Sequence, residues 1–364
     1  MTAARSLLAF GHFNRARRHQ LSNVAQESAF ELHLEEDAES ASAWLTDHQP
    51  QAILIDGERS DAAQIALDAR IQSSTARTPI LSRVEDVTDL AFGDAFGWGG
   101  DDVVSLEPSW RLLRRLRALP REAAESPVNG RGKAVIADPD RRRRIALGRV
   151  LRNAGFTVTF AVSANDARGF AEDPEVRVVV AGSDLEGGTE ELVQDAAGRS
   201  DALWLVPCPP RELKAWREAL GEVEHATPMD GYAPPENVLF LLNELSHSCE
   251  NKRASARLLY GTAVAFRGAG RDEDDIGFSF NLSAGGLYVR TLAPPEDDLV
   301  WLELTPPRSE RRVRLVGQVA WRRGVAHSET ATVPPGFGVQ IVDGAKTDLE
   351  LWRAGYAAFA QSVG

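Results

Sequence analysis

The chain has 364 residues, 43% apolar and 26% charged, which excludes a disordered or fibrous protein and, at ~150 residues per domain, implies two to three folded domains. Its net charge of −12 argues against a nucleic-acid partner, and two cysteines, Cys208 and Cys249, supply neither a disulfide framework nor a zinc cage. No apolar run approaches the ~20 residues of a membrane span, and the segment Ser6-Leu7-Leu8-Ala9-Phe10, followed by Arg15, Arg17 and Arg18, is too short and wrongly flanked for a signal peptide, so a cytoplasmic protein is expected.

Leu7-Leu8-Ala9-Phe10 predicts a buried strand, and 15–26 and 38–48 predict helices. Ala52-Ile53-Leu54-Ile55 predicts a second buried strand. Strands at 79–81 and 103–104 and an amphipathic helix over 110–119 follow. Short apolar runs alternating with helical stretches imply a parallel sheet covered by helices on both faces. The stretch 122–130, small, polar and broken by Pro127 and Gly130, reads as a linker.

The same rhythm then repeats. Strands are expected at 134–137, 157–160, 178–180 and 203–206, a helix at 141–154, and an apolar helical run at 238–246. A period of roughly 125 residues is too long for a solenoid repeat and marks a duplicated domain. A second linker falls at 245–252, so the pieces are 1–125, 130–248 and 250–364.

Pro50-Gln51-Ala52-Ile53-Leu54-Ile55-Asp56 resembles the strand that ends at the phosphoacceptor aspartate of response-regulator receiver domains, and Gly99-Gly100-Asp101-Asp102-Val103-Val104-Ser105 resembles the segment entering their last strand. In the second piece Ala137-Asp138-Pro139-Asp140 and Leu185-Glu186-Gly187-Gly188-Thr189 resemble two further receiver segments. The resemblance covers nearly all of residues 5–247 and implies two doubly wound, flavodoxin-like α/β domains. Phosphoryl transfer in receivers needs carboxylates for Mg²⁺ and a lysine for the developing charge. The first piece has Gly11-His12-Phe13-Asn14 in place of the acidic pair and no lysine before Lys133. The second keeps Asp138 but has Gly182 at the acceptor position and no lysine in Thr227-Pro228-Met229-Asp230. Both therefore read as pseudo-receivers. Asp56 is the one candidate phosphoacceptor, and reads first as a strand-end carboxylate capping the next turn; Asp184 is a weaker decoy.

From Thr262 the texture changes to alternation. Val313, Leu315, Val319 and Trp321 fall on one side of a strand and Arg314, Gln318 and Ala320 on the other. Further short strands at 263–267, 276–282, 286–291, 299–304 and 337–342, with Gly and Pro between them, predict a small all-β barrel closed by a C-terminal helix over 349–360. Residues 1–125 carry 13 basic and 20 acidic side chains, 126–250 carry 14 and 20, and 251–364 carry 14 and 13. The third piece, at +1, is the part least repulsive to a small anion.

Arg253-Ala254-Ser255-Ala256-Arg257 and Asn281-Leu282-Ser283-Ala284-Gly285-Gly286 resemble the RxxxR and [D/N]xSxxG signatures of PilZ domains. The resemblance spans essentially 250–345 and implies a receptor for the bacterial second messenger cyclic di-GMP. The chemistry agrees. Arginine can donate a bidentate pair to guanine O6 and N7, stack on a purine or pair with phosphate. Asn281 offers a donor and an acceptor, Ser283 a hydroxyl, and Gly285 and Gly286 a positive-φ turn open to close approach. Lys252 adds a candidate phosphate contact. Trp321 reads as barrel core in preference to a base-stacking platform.

Three other motifs take structural readings. Gly99-Gly100-Asp101-Asp102 resembles the GGDEF signature of diguanylate cyclases but sits where a receiver strand begins. Arg141–Arg144 reads as a solvated helix face, and the seven histidines form no HxxxH pair. The expectation is a non-enzymatic cyclic di-GMP effector with no cofactor and no metal, contacting an unidentified protein partner through its receiver-like domains. Homo-oligomerisation stays open. The alternatives are a response regulator phosphorylated at Asp56 and an adaptor whose PilZ domain has lost its ligand.

Overall fold

The computed structural model describes residues 5–121, 130–199, 201–221, 223–246, 255–325 and 333–363. The described residues fall into two compact units, one drawn from 1–124, 252–327 and 334–364 and the other from 125–251 and 328–333. Among the described residues no helix is long and apolar enough to cross a membrane.

The first domain runs β1 (Arg5–Phe10), α1 (Arg15–Glu27), β2 (Phe30–Glu35), α2 (Ala38–Asp47), β3 (Ala52–Asp56), α3 (Ala62–Ile71), β4 (Ile80–Arg83), α4 (Asp89–Gly97), β5 (Asp102–Val104) and α5 (Trp110–Ala118). Its all-parallel sheet has the order β2-β1-β3-β4-β5, with Leu7–Phe10 aligned on Ala52–Ile55. β3 is buried at every position, as a central strand between two helical layers must be. Asn14 and Asp37 cap the first two helices by accepting from Arg17 and Ser40 N–H.

The second domain repeats this plan with β6 (Lys133–Ala137), α6 (Arg141–Asn153), β7 (Thr157–Ala161), α7 (Ala164–Ala171), β8 (Val176–Ala181), α8 (Thr189–Ala196), β9 (Leu203–Cys208), α9 (Leu213–Ala219), β10 (Ala226–Asp230) and α10 (Asn237–Ser246). Its sheet order, β10-β9-β8-β6-β7, is the same winding. Both are doubly wound α/β domains of the 2-1-3-4-5 type, in which sites form beyond the carboxyl ends of the central strands.

The third domain is antiparallel: β11 (Leu258–Leu259), β12 (Ala263–Gly268), β13 (Asp275–Ser283), β14 (Gly286–Arg290), β15 (Leu299–Leu304), β16 (Val313–Arg323), β17 (Gly336–Gly344) and α11 (Lys346–Val363). The order β13-β12-β15-β16-β17-β14, with β14 pairing back onto β13, closes a six-stranded barrel, and β11 adds to the outside of β13. Phe266, Val300, Leu302, Val313, Leu315 and Phe337 fill it, and Trp352 of α11 seals one end.

The barrel packs on the first domain, although the second lies between them in the chain. Phe92 and Phe96 of α4 enclose Phe278 of β13, with ring centroids 4.9 and 5.6 Å away. Leu292 joins the core formed by Leu112 and Leu116 of α5. At the centre, Arg115 pairs with Asp102 at 3.0 Å and with Asp275 at 2.8 Å, all three side chains being 1% exposed. Asp102 also accepts from Leu292 N–H at 2.9 Å, and Arg114 reaches Asp275 at 2.6 Å. Burial pushes the Asp102 carboxyl above the usual aspartate range.

Candidate functional site

The candidate ligand face lies on the outer wall of the barrel. Pairing across neighbouring strands places Leu259, Asn281, Tyr288, Gly338 and Trp321 in one row, so their side chains share a face. Gly338 matters here because a Cβ would collide with the Trp321 indole. Without one, Trp321 lies over that strand and stacks on Tyr288 with centroids 4.8 Å apart. Tyr288 is buried, donates its hydroxyl to Pro334 O at 2.6 Å, and has its phenol pushed upward by that burial.

Asn281 is 7% exposed. Among the described residues its side-chain amide makes no hydrogen bond. Its donor and acceptor are therefore available to a ligand. Ser283, two residues on and half-buried, faces the same way and donates to Gly286 O at 3.3 Å. The Leu258–Leu282 pair runs the segment that begins at Ser255 antiparallel to β13, so exposed Arg257 comes alongside Ser283. α11 braces both sides of this junction: Trp352 donates to Ala284 O at 3.1 Å and Tyr356 to Ala256 O at 2.9 Å. Arg253 and Lys252 lie outside the described residues, as do most of both expected linkers.

Two expectations about this face need correcting. Trp321 is not barrel core: register shifts in β16, one between Val319 and Trp321, turn it outward to 40% exposure. Gly285 and Gly286 do not form a positive-φ turn, since neither has φ in that region. Gly286 is needed for a different reason, because a Cβ there would strike Val339 O of β17.

The two receiver-like pockets are each filled by an arginine. Asp56 does not cap the following turn; it pairs with Arg83, at the end of β4, at 3.2 Å. The same guanidinium meets Glu58 at 3.6 Å and also pairs with Glu85. Gly11 follows β1, where the receiver resemblance implies an acid, and a Cβ there would stand 2.6 Å from Asp56 Cβ. In the second domain Arg143 grips fully buried Asp138, with one bond at 2.9 Å, and reaches exposed Asp184 at 3.5 Å. Burial pushes the Asp138 carboxyl upward, opposed by Arg143. A Cβ at Gly182 would come within 3.0 Å of Asp138 Oδ2. The Arg141–Arg144 run therefore splits: Arg141 and Arg142 are exposed, whereas Arg143 and Arg144 turn in to Asp138. Arg83 was not marked by spacing in an arginine-rich chain, and Arg143 stood only in a run read as a solvated face. The GGDEF-like stretch is structural: Asp101 accepts from Ile80 N–H at 2.8 Å and pairs with Arg70, and Asp102 belongs to the buried cluster with Arg115.

No protein-family model and no curated protein matches this chain. Among solved structures, the receiver domain of a sensor histidine kinase from Pseudomonas aeruginosa PAO1 is 17% identical over 32% of this chain and 98% of its own, with a TM-score of 0.28. A two-component system response regulator/GGDEF domain protein is 16% identical over 68% of this chain and 100% of its own, at 0.34. The Bacillus subtilis inhibitor of motility is 15% identical over 31% of this chain, at 0.25, and the match spans 52% of that protein. The fold assignment rests on the chain's own strand order and register.

Proposed function

We propose that this protein is a cytoplasmic, non-enzymatic receptor for cyclic di-GMP, which binds the outer face of the barrel and signals by protein–protein contact. The observation that carries the reading is Asn281, a nearly buried residue whose amide makes no hydrogen bond among the described residues, set between Ser283, the Arg257 segment and the half-exposed Trp321. Arg253 and Arg257 supply guanidinium forks for guanine edges or phosphodiesters. Asn281 pairs with a guanine edge, Ser283 with a phosphate or base, and Trp321 gives a base a surface to stack on. Lys252 adds charge, Gly285 leaves open space beside the turn, and Gly286 lets the turn pack against β17.

In this reading the receiver-like domains are docking surfaces and not phosphoryl acceptors. Phosphoryl transfer relies on positioning and charge stabilisation around a metal, and Arg83 already neutralises the carboxylates beside Asp56. Titration calorimetry of the full chain tests the ligand assignment. Asn281→Ala weakens cyclic di-GMP more than cyclic di-AMP, because adenine lacks the guanine donors. An equal loss for both means that Asn281 shapes the strand and does not read the base.

A further inference from the structure

The outer face of β13 and β14 is shared between two tasks. Asn281 pairs across to Tyr288, and the next outward-facing row toward the start of β13 pairs Phe278 with Arg290. These rows are about 7 Å apart, two residues along a strand, with the β13 bulge between Ser279 and Asn281 separating them. In the first row Trp321 is exposed, with Asn281 and Tyr288 buried beside it. The second lies against the first domain, Phe278 between Phe92 and Phe96, and the Arg290 guanidinium 3.6 Å from the Phe96 ring centroid. Further along the same strand, Asp275 pairs with Arg114 and Arg115. On the adjacent strand, Asp89 of α4 accepts from Ala263 N–H at 2.5 Å.

We propose that the first domain preorganises the ligand face and reads its occupancy: α4 and α5 hold β13 and β14 in the binding arrangement, and ligand binding tightens their grip. This rests on the cyclic di-GMP reading and adds the element that responds. The physical basis is continuity. β13 carries the docking residues Asp275 and Phe278 at one end and Asn281 and Ser283 at the other, so a shift that seats a ligand displaces groups packed on the first domain. Packed cores resist gradual deformation, and such a strand passes displacement on instead of absorbing it. Linkage is reciprocal: the factor by which ligand strengthens docking is the factor by which loss of the dock weakens ligand binding.

The test uses the full chain with cyclic di-GMP as probe. Arg114 belongs to the first domain and lies in the dock, donating to Asp275, Ala293 O and Pro294 O. Arg114→Ala is expected to weaken binding at least ~5-fold, the lower end of ordinary coupling. In the unsubstituted protein, ligand is expected to slow amide deuterium exchange across Asp89–Gly97 and Trp110–Ala118. That second measurement needs no variant. Unchanged exchange in both helices while ligand binds, or unsubstituted affinity in folded Arg114→Ala, overturns the coupling and leaves the receptor reading standing. Absence of binding by the folded, unsubstituted chain overturns the receptor reading and the coupling with it.

Discussion

Replacing Arg115 with alanine should cost far more than its place on a surface helix of the first domain suggests. The guanidinium is 1% exposed and sits between Asp102 and Asp275, themselves 1% exposed, while its remaining donors reach Ile276 O and Arg111 O. Removing it leaves two buried carboxylates short of their shared counter-charge. Breaking a buried pair in this way costs ~3–5 kcal/mol. For a unit of this size that corresponds to a fall of roughly 6–20 °C in melting temperature. Differential scanning calorimetry of the full chain measures it, with Arg117→Ala on the same helix as control. Arg117 is 58% exposed and only 3.9 Å from Glu27, so its loss should stay within ~0.5 kcal/mol. The deficit has a pH signature. Burial already raises the Asp102 carboxyl above its unfolded value, and loss of Arg115 raises it further. A group with a raised folded pKa binds more protons folded than unfolded, so the stability of the variant increases as pH falls toward the ordinary carboxylate range. A variant that melts with the unsubstituted protein, or whose deficit grows on mild acidification, refutes the buried-cluster account.

Two other outcomes follow from the geometry. Incubation with acetyl phosphate and Mg²⁺ should leave the mass of the protein unchanged, because Arg83 and Arg143 occupy the two acidic pockets; a phosphoryl adduct mapped to Asp56, and lost in Asp56→Ala, promotes the response-regulator reading. Asp348 anchors α11 to β16, and Arg314 N–H at 3.0 Å, with Arg311, holds its carboxyl below the usual range. A depressed folded pKa gives stability that is present above the unfolded value and lost as pH falls through the folded one. Asp348→Ala should therefore lose about 1 kcal/mol at neutral pH, by urea titration, and progressively less in acid.

The three-part plan was legible in the sequence because strand runs such as 52–55 and 178–180 are continuous apolar blocks, and the barrel strands alternate. β2 was missed because Phe30–Glu35 is an edge strand with one buried residue, and α4 because Gly93 and Gly97 interrupt Asp89–Gly97. Asn281, Ser283 and Arg257 stood out in the sequence as candidates by signature spacing, and strand pairing brings them together. Trp321 was misread because a bulge changes alternation without changing composition. The dock was not legible at all. Asp102, Arg115 and Asp275 are a charged trio spread over more than 170 positions, and only the fold shows that a third domain passes over its neighbour in the chain to bury them on the first.

The receptor claim is tested most directly by titrating cyclic di-GMP into the full-length protein and into its Arg253→Ala, Arg257→Ala double variant, both verified as folded by circular dichroism. Saturable binding by the unsubstituted chain, with a loss of about 1–3 kcal/mol or more in the double variant, is the predicted result. No binding by the unsubstituted chain, or equal affinity in the two proteins, contradicts it.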